Sequence, residues 1–452
     1  MEGKFLMKKN FFFIPIACLA LLSSGCKAIL KNLLENTSDK NSEIIYELDK
    51  KEICSNINGL NTENEYRSSR TYSKRVYQED YFELISILTN KIKKNPKNAS
   101  LYHDRGLAKY CVDEHYFDGD DDWLKSIEIN PKFYKSYAAL GSLTRFPDSQ
   151  NINYLNKFIK FKPKESNAYL NRAIAILFTG EWNKEKLALN DLDESIKLDP
   201  KNYEALVKRA ELRNDQSIYD GAVEDLTKAI EIMPSYLTDF WKVAHYDDLS
   251  KFKFRNKDYY GSINDCSKAI KFNKGKPYHC LEESAKSYQK INQYTNAIND
   301  ISKHISFLKS INFPNRVLSE NYMYRAELKS KVFNISDLSA LEDYDRGVEL
   351  NPTYSNYNIR AEFKLRIKEY QKALDDLNKS ISISSAIEGR GDELNGEAYL
   401  KRGFLKNKFL GDTKGACLDW ENSKRIFNIY DFSDYQQDEK NEVESYLKKF
   451  CN

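Results

Sequence analysis

Residues 205–234 read ALVKRAELRNDQSIYDGAVEDLTKAIEIMP. In the second half, Ala222, Leu226, Ala229, Ile230 and Met233 recur at steps of three and four and make one apolar stripe, the period of a helix. Ala210 and Ala222 stand twelve residues apart. Small residues at two such places let a pair of helix backbones approach closely where they cross. Pro234 lies just past the second stripe, where it stops the helix. The stretch therefore predicts an antiparallel helical hairpin. A single hairpin cannot bury its apolar face alone, so neighbours of the same kind must stack on it.

Such neighbours are present. The second helix recurs as DLDESIKLDP from Asp191, DLTKAIEIMP from Asp225 and DYDRGVELNP from Asp343, and as DWLKSIEINP from Asp122. Weaker copies begin at Tyr154, Asp265, Asp300, Asp376 and Asp419, which makes nine. From Tyr154 to Asp419 the steps run from 33 to 43 residues. The first helix recurs as LYHDRG ending at Gly106, AYLNRA at Ala173, ALVKRA at Ala210, YMYRA at Ala326, YNIRA at Ala361 and AYLKRG at Gly403, with weaker copies at Gly141, Ser250 and Ala285.

A reiterated unit with small residues at its eighth and twentieth places and a closing proline resembles the tetratricopeptide repeat. The resemblance covers about residues 97–430. It implies an all-α fold, an α-solenoid superhelix of about nine stacked helix-turn-helix repeats. Residues 63–96 are expected to be an eroded N-terminal repeat or cap. GDTKGACLDWENSKRI resembles the closing repeat of many bacterial members, and residues 431–452 are expected to form a capping helix.

Six units carry Arg just before the small residue of the first helix and Asp three residues beyond the small place of the second. The pairs are Arg105 with Asp122, Arg172 with Asp191, Arg209 with Asp225, Arg325 with Asp343, Arg360 with Asp376 and Arg402 with Asp419. Asp265 and Asp300 occur without Arg, and the second unit lacks both, having Leu140 and Tyr154. The planar guanidinium fork suits a carboxylate through two bonds. Structural ion pairs that fix helix register are therefore expected; an arginine array for an anionic ligand is the alternative.

Residues 1–25 have the pattern of an export signal. Lys4, Lys8 and Lys9 precede the apolar run FFFIPIACLALL at 11–22, too short to span a bilayer. Either Met1 or Met7 can serve as the start. LSSGC resembles the lipobox of bacterial lipoproteins, with Cys26 as the residue that would carry the lipid, although Ser23 stands where that family prefers Leu. An ordinary secretory signal with an incidental cysteine is the alternative. Residues 26–62, rich in Asn, Lys, Ser and Glu, read as the lipidated cysteine and a polar tether. The expected location is the cell envelope of a bacterium, membrane-anchored and periplasmic or surface-facing.

The 452 residues hold 70 Lys+Arg against 67 Asp+Glu, a net charge of +3. Removing residues 1–25 leaves +1, so no nucleic-acid partner is expected. His103, His115, His245, His279 and His304 show no metal-ligand spacing. Asp118 to Asp122 fail as a calcium loop, because Trp123 and Ile129 stand where Gly and Glu are needed. Gly389, Gly391 and Gly396 follow no strand and form no phosphate cradle. No cofactor and no enzymatic activity are expected. Buried free thiols are the expected state of the cysteines; Cys266 with Cys280, on consecutive helices, and less so Cys417 with Cys451 are the alternative, as disulfides.

The resemblance further implies that the first helix of each unit lines a concave groove. The matching places give Leu170, Ile174, Leu177 and Phe178, then Asp247, Lys251, Phe254 and Arg255, then Glu282, Lys286, Gln289 and Lys290. Burial of Leu170, Ile174 and Leu177 in the core is the alternative for the first set. The expected function is a membrane-anchored, non-catalytic scaffold that binds a protein or peptide in that groove. A glycan-binding lipoprotein on the same frame is the second reading.

Overall fold

The computed structural model describes residue 82 and residues 85–451, apart from 113–118, 143–148, 181–183, 235–236, 238, 277, 333–337, 386–394 and 430–436. The signal, Cys26, the tether, His115, Asp118, Gly389 and Gly391 lie outside the described residues. No helix among those described is long and apolar enough to cross a membrane.

The described chain is helical throughout, without strands. Residues 85–94 form a helix whose Leu88 packs with Ala108 of the next one. Nine hairpins follow. They are α1 Ala99–Val112 with α2 Asp120–Ile129, α3 Tyr134–Ser142 with α4 Ser149–Phe161, α5 Ser166–Phe178 with α6 Glu185–Leu198, and α7 Tyr203–Asp215 with α8 Tyr219–Glu231. Then come α9 Asp239–Arg255 with α10 Tyr259–Phe272, α11 Leu281–Lys290 with α12 Tyr294–Ser310, and α13 Asn315–Val332 with α14 Ser339–Leu350. The last are α15 Tyr354–Arg366 with α16 Tyr370–Ser385, α17 Gly396–Phe409 with α18 Thr413–Ile429, and finally the single helix α19 Gln437–Phe450. The chain divides into two compact units, the first ending at His245 and the second starting at Tyr246.

The quoted stretch folds as expected, and its details show why. Asn202 caps α7 by accepting from the Ala205 amide, which satisfies one of the helix's open N–H groups. The turn into α8 places Ser217 at φ 63°, and the Ile218 amide donates to the Arg213 carbonyl at 2.8 Å. Lys257, Asn292 and Lys368 take the same left-handed conformation at the corresponding turns. This is the bonded helix ending in which one αL residue lets the chain double back. Ala210 and Ala222, the small residues of the crossing, are both fully buried.

At Gly106 and Gly403 the small residue is glycine for a different reason. A Cβ on Gly403 would lie 2.6 Å from the indole nitrogen of Trp420, and one on Gly106 would lie 2.5 Å from that of Trp123. Both indoles are completely buried. Where the first helix carries Ala173, Ala210 or Ala361, the matching place holds Leu192, Leu226 or Leu377. In these five units the crossing sets glycine against tryptophan or alanine against leucine, while Gly141 meets Leu155 and Ala326 meets Tyr344. At the C-terminal end, Val443, Tyr446 and Leu447 of α19 cover Trp420, Leu400 and Phe427.

Candidate functional site

The six Arg–Asp pairs form one repeated geometry. In each, Nη2 of the arginine donates to Oδ1 of the aspartate at 2.6 Å. Nε donates to Oδ2 at 2.8–2.9 Å. All six aspartates are buried. The guanidinium also lies over the tyrosine three residues earlier in five cases, Tyr102, Tyr169, Tyr322, Tyr357 and Tyr399, at 5.2–5.6 Å from the ring centre.

Two further layers were not read from the sequence. Five of these aspartates accept from a second cation one turn after the arginine: Lys109 at 3.1 Å, Arg213 at 2.7 Å, Lys329 at 2.8 Å, Lys364 at 2.8 Å and Lys406 at 2.9 Å. The free Nη1 of each arginine reaches back to the preceding hairpin. It donates to Thr89, Asn156, Asp193, Ser302, Asp345 and Asn378 at 2.7–3.2 Å. Each arginine thus closes its own hairpin and ties it to the one before. Asp265, which has no arginine, takes Lys253 at 2.6 Å and Lys268 at 2.8 Å. Asp300 takes the Ser284 hydroxyl at 2.7 Å. Because every arginine fork is occupied by protein carboxylate, the set holds helices and does not present cations to an anionic ligand.

The groove residues divide by unit. In the first unit Leu170 is fully buried and belongs to the core, which corrects its placement in a groove. The reason is local: α5 packs against α3 as well as against α4 and α6, so the middle of its inner face is covered. Ile174 and Leu177 are half-buried, and Phe178 at the helix end is 54% exposed.

In the second unit the expected residues build a polar band over α9, α11 and α13. Asp247 is only 6% exposed and binds Lys251 through Oδ2 at 2.6 Å, while its Oδ1 is buried and has no hydrogen-bond partner among the described residues. An open groove position for Asp247 is therefore corrected to a buried one beneath the band. Glu282 holds Lys286 at 2.5 Å. Gln289 accepts from the Tyr324 hydroxyl of α13 at 2.9 Å. Phe254 is half-buried, and Arg255 and Lys290 are exposed at the helix ends. Glu283 and Tyr324, the neighbours of this set, were not singled out by the sequence; the sixth place of the first helix, just after Glu282, is the signal that points to Glu283.

No protein-family profile matches the chain. Among curated proteins, it is similar to tetratricopeptide repeat protein 6 of Homo sapiens, 25% identical over 203 residues, which is 44% of this chain and 37% of that protein. It is also similar to the Hsp70-Hsp90 organizing protein of Triticum aestivum, 24% identical over 212 residues, 42% of this chain and 36% of that protein. The repeated hairpins are similar to those of tetratricopeptide repeat proteins. The chain spans little more than a third of the length of these two relatives. Among solved structures, the C-terminal part of a repeat-containing protein from Cytophaga hutchinsonii aligns with TM-score 0.42 at 15% identity, over 57% of this chain and 94% of that one. A tetratricopeptide repeat protein from Parabacteroides merdae aligns with TM-score 0.39 at 15% identity, over 64% of this chain and 99% of that one.

Within the repeat array the histidines serve packing. His103 bonds Ser136 at 3.1 Å, and burial pushes its imidazole down to about 3. Burial likewise lowers His245, which bonds Tyr203, to about 4. Asp120 and Asp121 lie in the first turn of α2, where acids favour the helix dipole, and Asp122 belongs to the ladder. Both cysteine pairs are bridged, Cys266 with Cys280 and Cys417 with Cys451, at Cα separations of 5.3 and 5.7 Å.

Glu283, like Glu204, departs from this pairing and carries a carboxyl that burial raises. Burial first, then the charge of Glu282, raises its carboxyl to about 7, although Lys251 and Lys286 pull the other way and Asp247 adds to the rise. A carboxyl raised on folding binds its proton more tightly in the folded chain. Its contribution to stability is therefore intact below the ordinary carboxylate range and is lost as pH rises through about 7. Glu283→Gln cannot ionise. Thermal melts should show the variant a few degrees above the parent at pH 8 and level with it at pH 4.

Proposed function

We propose that the repeat array is a non-catalytic scaffold that grips an extended segment of a protein partner along the first helices of its repeats. The observation that carries this reading is the polar band of the second unit. Lys251, Glu282, Lys286, Gln289 and Tyr324 lie half-buried on three such helices, and the core does not need them. Exposed Phe178, beside half-buried Ile174 and Leu177, is an apolar counterpart in the first unit. One relative is an Hsp70-Hsp90 organizing protein, which agrees with a scaffold. Glycan binding finds less support, since of the three described tryptophans Trp123 and Trp420 are wholly buried as packing residues and Trp241 is half-buried against Phe240 and His245.

We further propose that the chain is exported and held at a membrane through lipid on Cys26. Support comes from the LSSGC stretch and from the two bridged cysteine pairs, which persist in an oxidising compartment. More than one acyl chain is needed for stable attachment, which a lipoprotein cysteine supplies. One experiment tests both parts. A photo-crosslinking residue at Gln289 is expressed in cells, with and without Cys26→Ser. The parent should fractionate with membranes and crosslink one protein species, and the Cys26→Ser chain should leave the membrane fraction. Recovery of no protein above an untreated control would refute the scaffold; unchanged fractionation of Cys26→Ser would refute the anchor.

A further inference from the structure

The charges of the polar band do not cancel. Around Glu283 the charged groups that act on it are the acids Glu282 and Asp247 and the cations Lys251 and Lys286, so with Glu283 itself three acids face two cations. Both cations are already used. Lys251 lies 2.6 Å from Asp247 and 3.7 Å from Asp248, and Lys286 lies 2.5 Å from Glu282. Among the described residues Glu283 makes no hydrogen bond and no ion pair; Glu282 and Asp247 repel its charge, and Lys251 and Lys286 attract it without contact.

A second observation is independent of this count. Oδ1 of Asp247, a side chain 6% exposed, is buried and finds no donor among the described residues. A buried carboxylate oxygen without a donor carries an uncompensated desolvation cost, and such orphans are rare where nothing is meant to meet them. Asp247 and Glu283 act on one another electrostatically across α9 and α11, so the orphan oxygen and the unpaired carboxylate belong to one patch. Tyr278 lies within reach of the Asp247 charge, and Tyr324 of α13, which donates to Gln289 of α11, lies within reach of the Glu282 charge; both offer ring surface along which the alkyl stem of a long side chain can lie.

We propose that this patch receives a cationic side chain, a lysine or arginine of the bound segment, between Glu283 and Asp247. The inference rests on the scaffold reading and adds the chemistry of the partner: the segment entering the second unit is basic. An incoming ammonium or guanidinium pairs Glu283, supplies the donors that Asp247 lacks, and brings the patch close to neutrality. An acidic or carboxylate-terminated segment would instead meet three acids.

The test uses the mature chain and three fluorescent twelve-residue probes with glycine at alternate places, the other places being lysine, asparagine or glutamate. Anisotropy titrations are run at low and at physiological salt. The lysine probe should bind best, and Glu283→Gln should weaken it about tenfold or more while the control Glu349→Gln, on the second helix of its hairpin, leaves it unchanged. Carbodiimide coupling of the bound lysine probe should mark Glu283 by mass spectrometry. Glu283→Gln removes an unpaired acid and should fold at least as well as the parent, which its melting curve checks. Equal binding of the lysine probe by the Glu283→Gln chain, preference for the asparagine or glutamate probe, or binding of none of the three would overturn the inference. Preference for the neutral or acidic probe would leave the scaffold reading standing. If crosslinking from Gln289 in cells also captures no protein, both fall.

Discussion

Asp376→Ala is expected to cost about 3–5 kcal/mol of stability in urea unfolding, far more than the arginine it binds. Asp376 accepts both bonds of the Arg360 fork and a third from Lys364 at 2.8 Å. Lys364 is itself buried. Deleting the carboxylate leaves two cations in a site screened from water, and only Arg360 keeps another acid, Asp345 at 2.9 Å. Arg360→Ala leaves Asp376 still neutralised by Lys364, so its cost should be smaller. The order of the two variants is the test. Equal losses would mean that the lysine contributes nothing, and a larger loss for Arg360→Ala would reverse the assignment of the aspartate as the shared hub.

Gly403→Ala is expected to cost about 1–3 kcal/mol, the ordinary range for overpacking a rigid core. The new methyl group would sit 2.6 Å from Trp420, which is fully buried and has no room to withdraw beneath α19. The repeats themselves contain the remedy. Ala210 with Leu226 and Ala361 with Leu377 set a smaller partner against the methyl, whereas Ala326 meets Tyr344. Trp420→Leu alone opens a cavity and should cost a few kcal/mol. The double variant should recover part of both losses, with a coupling of about 0.5–3 kcal/mol in a double-mutant cycle. Simple additivity would show that the glycine and the indole are not matched.

The hairpins were legible in the sequence because their signals are short-range. Stripes of Leu and Ala at steps of three and four, a closing proline, and an arginine beside each small residue are all read within one unit. The Arg–Asp pairs were legible for the same reason, since each lies inside a single hairpin. Lys109, Lys329, Lys364 and Lys406 stand one turn past their arginines and carry the same signal, but a lysine on a helix is so often solvated that its spacing alone draws no attention. The links to the preceding hairpin were hidden. Their acceptors are Thr, Asn, Asp and Ser, and they lie 15 to 24 residues back across loops of unequal length. Leu170 was misplaced because the repeat register names the face a residue occupies and not how far along that face the neighbouring helices extend.

The backward bond of each arginine bears on how the chain would behave under tension. A hairpin tied to its predecessor resists being peeled off alone, so tied runs should give way together. Among the described residues, the α3/α4 hairpin of the first unit and the α11/α12 hairpin of the second, with Leu140 and Ser284 at the arginine place, lack that tie. Drawn out from its ends, for instance between an anchoring surface and a captured cargo, the molecule would rupture first at those seams and extend in a few large steps.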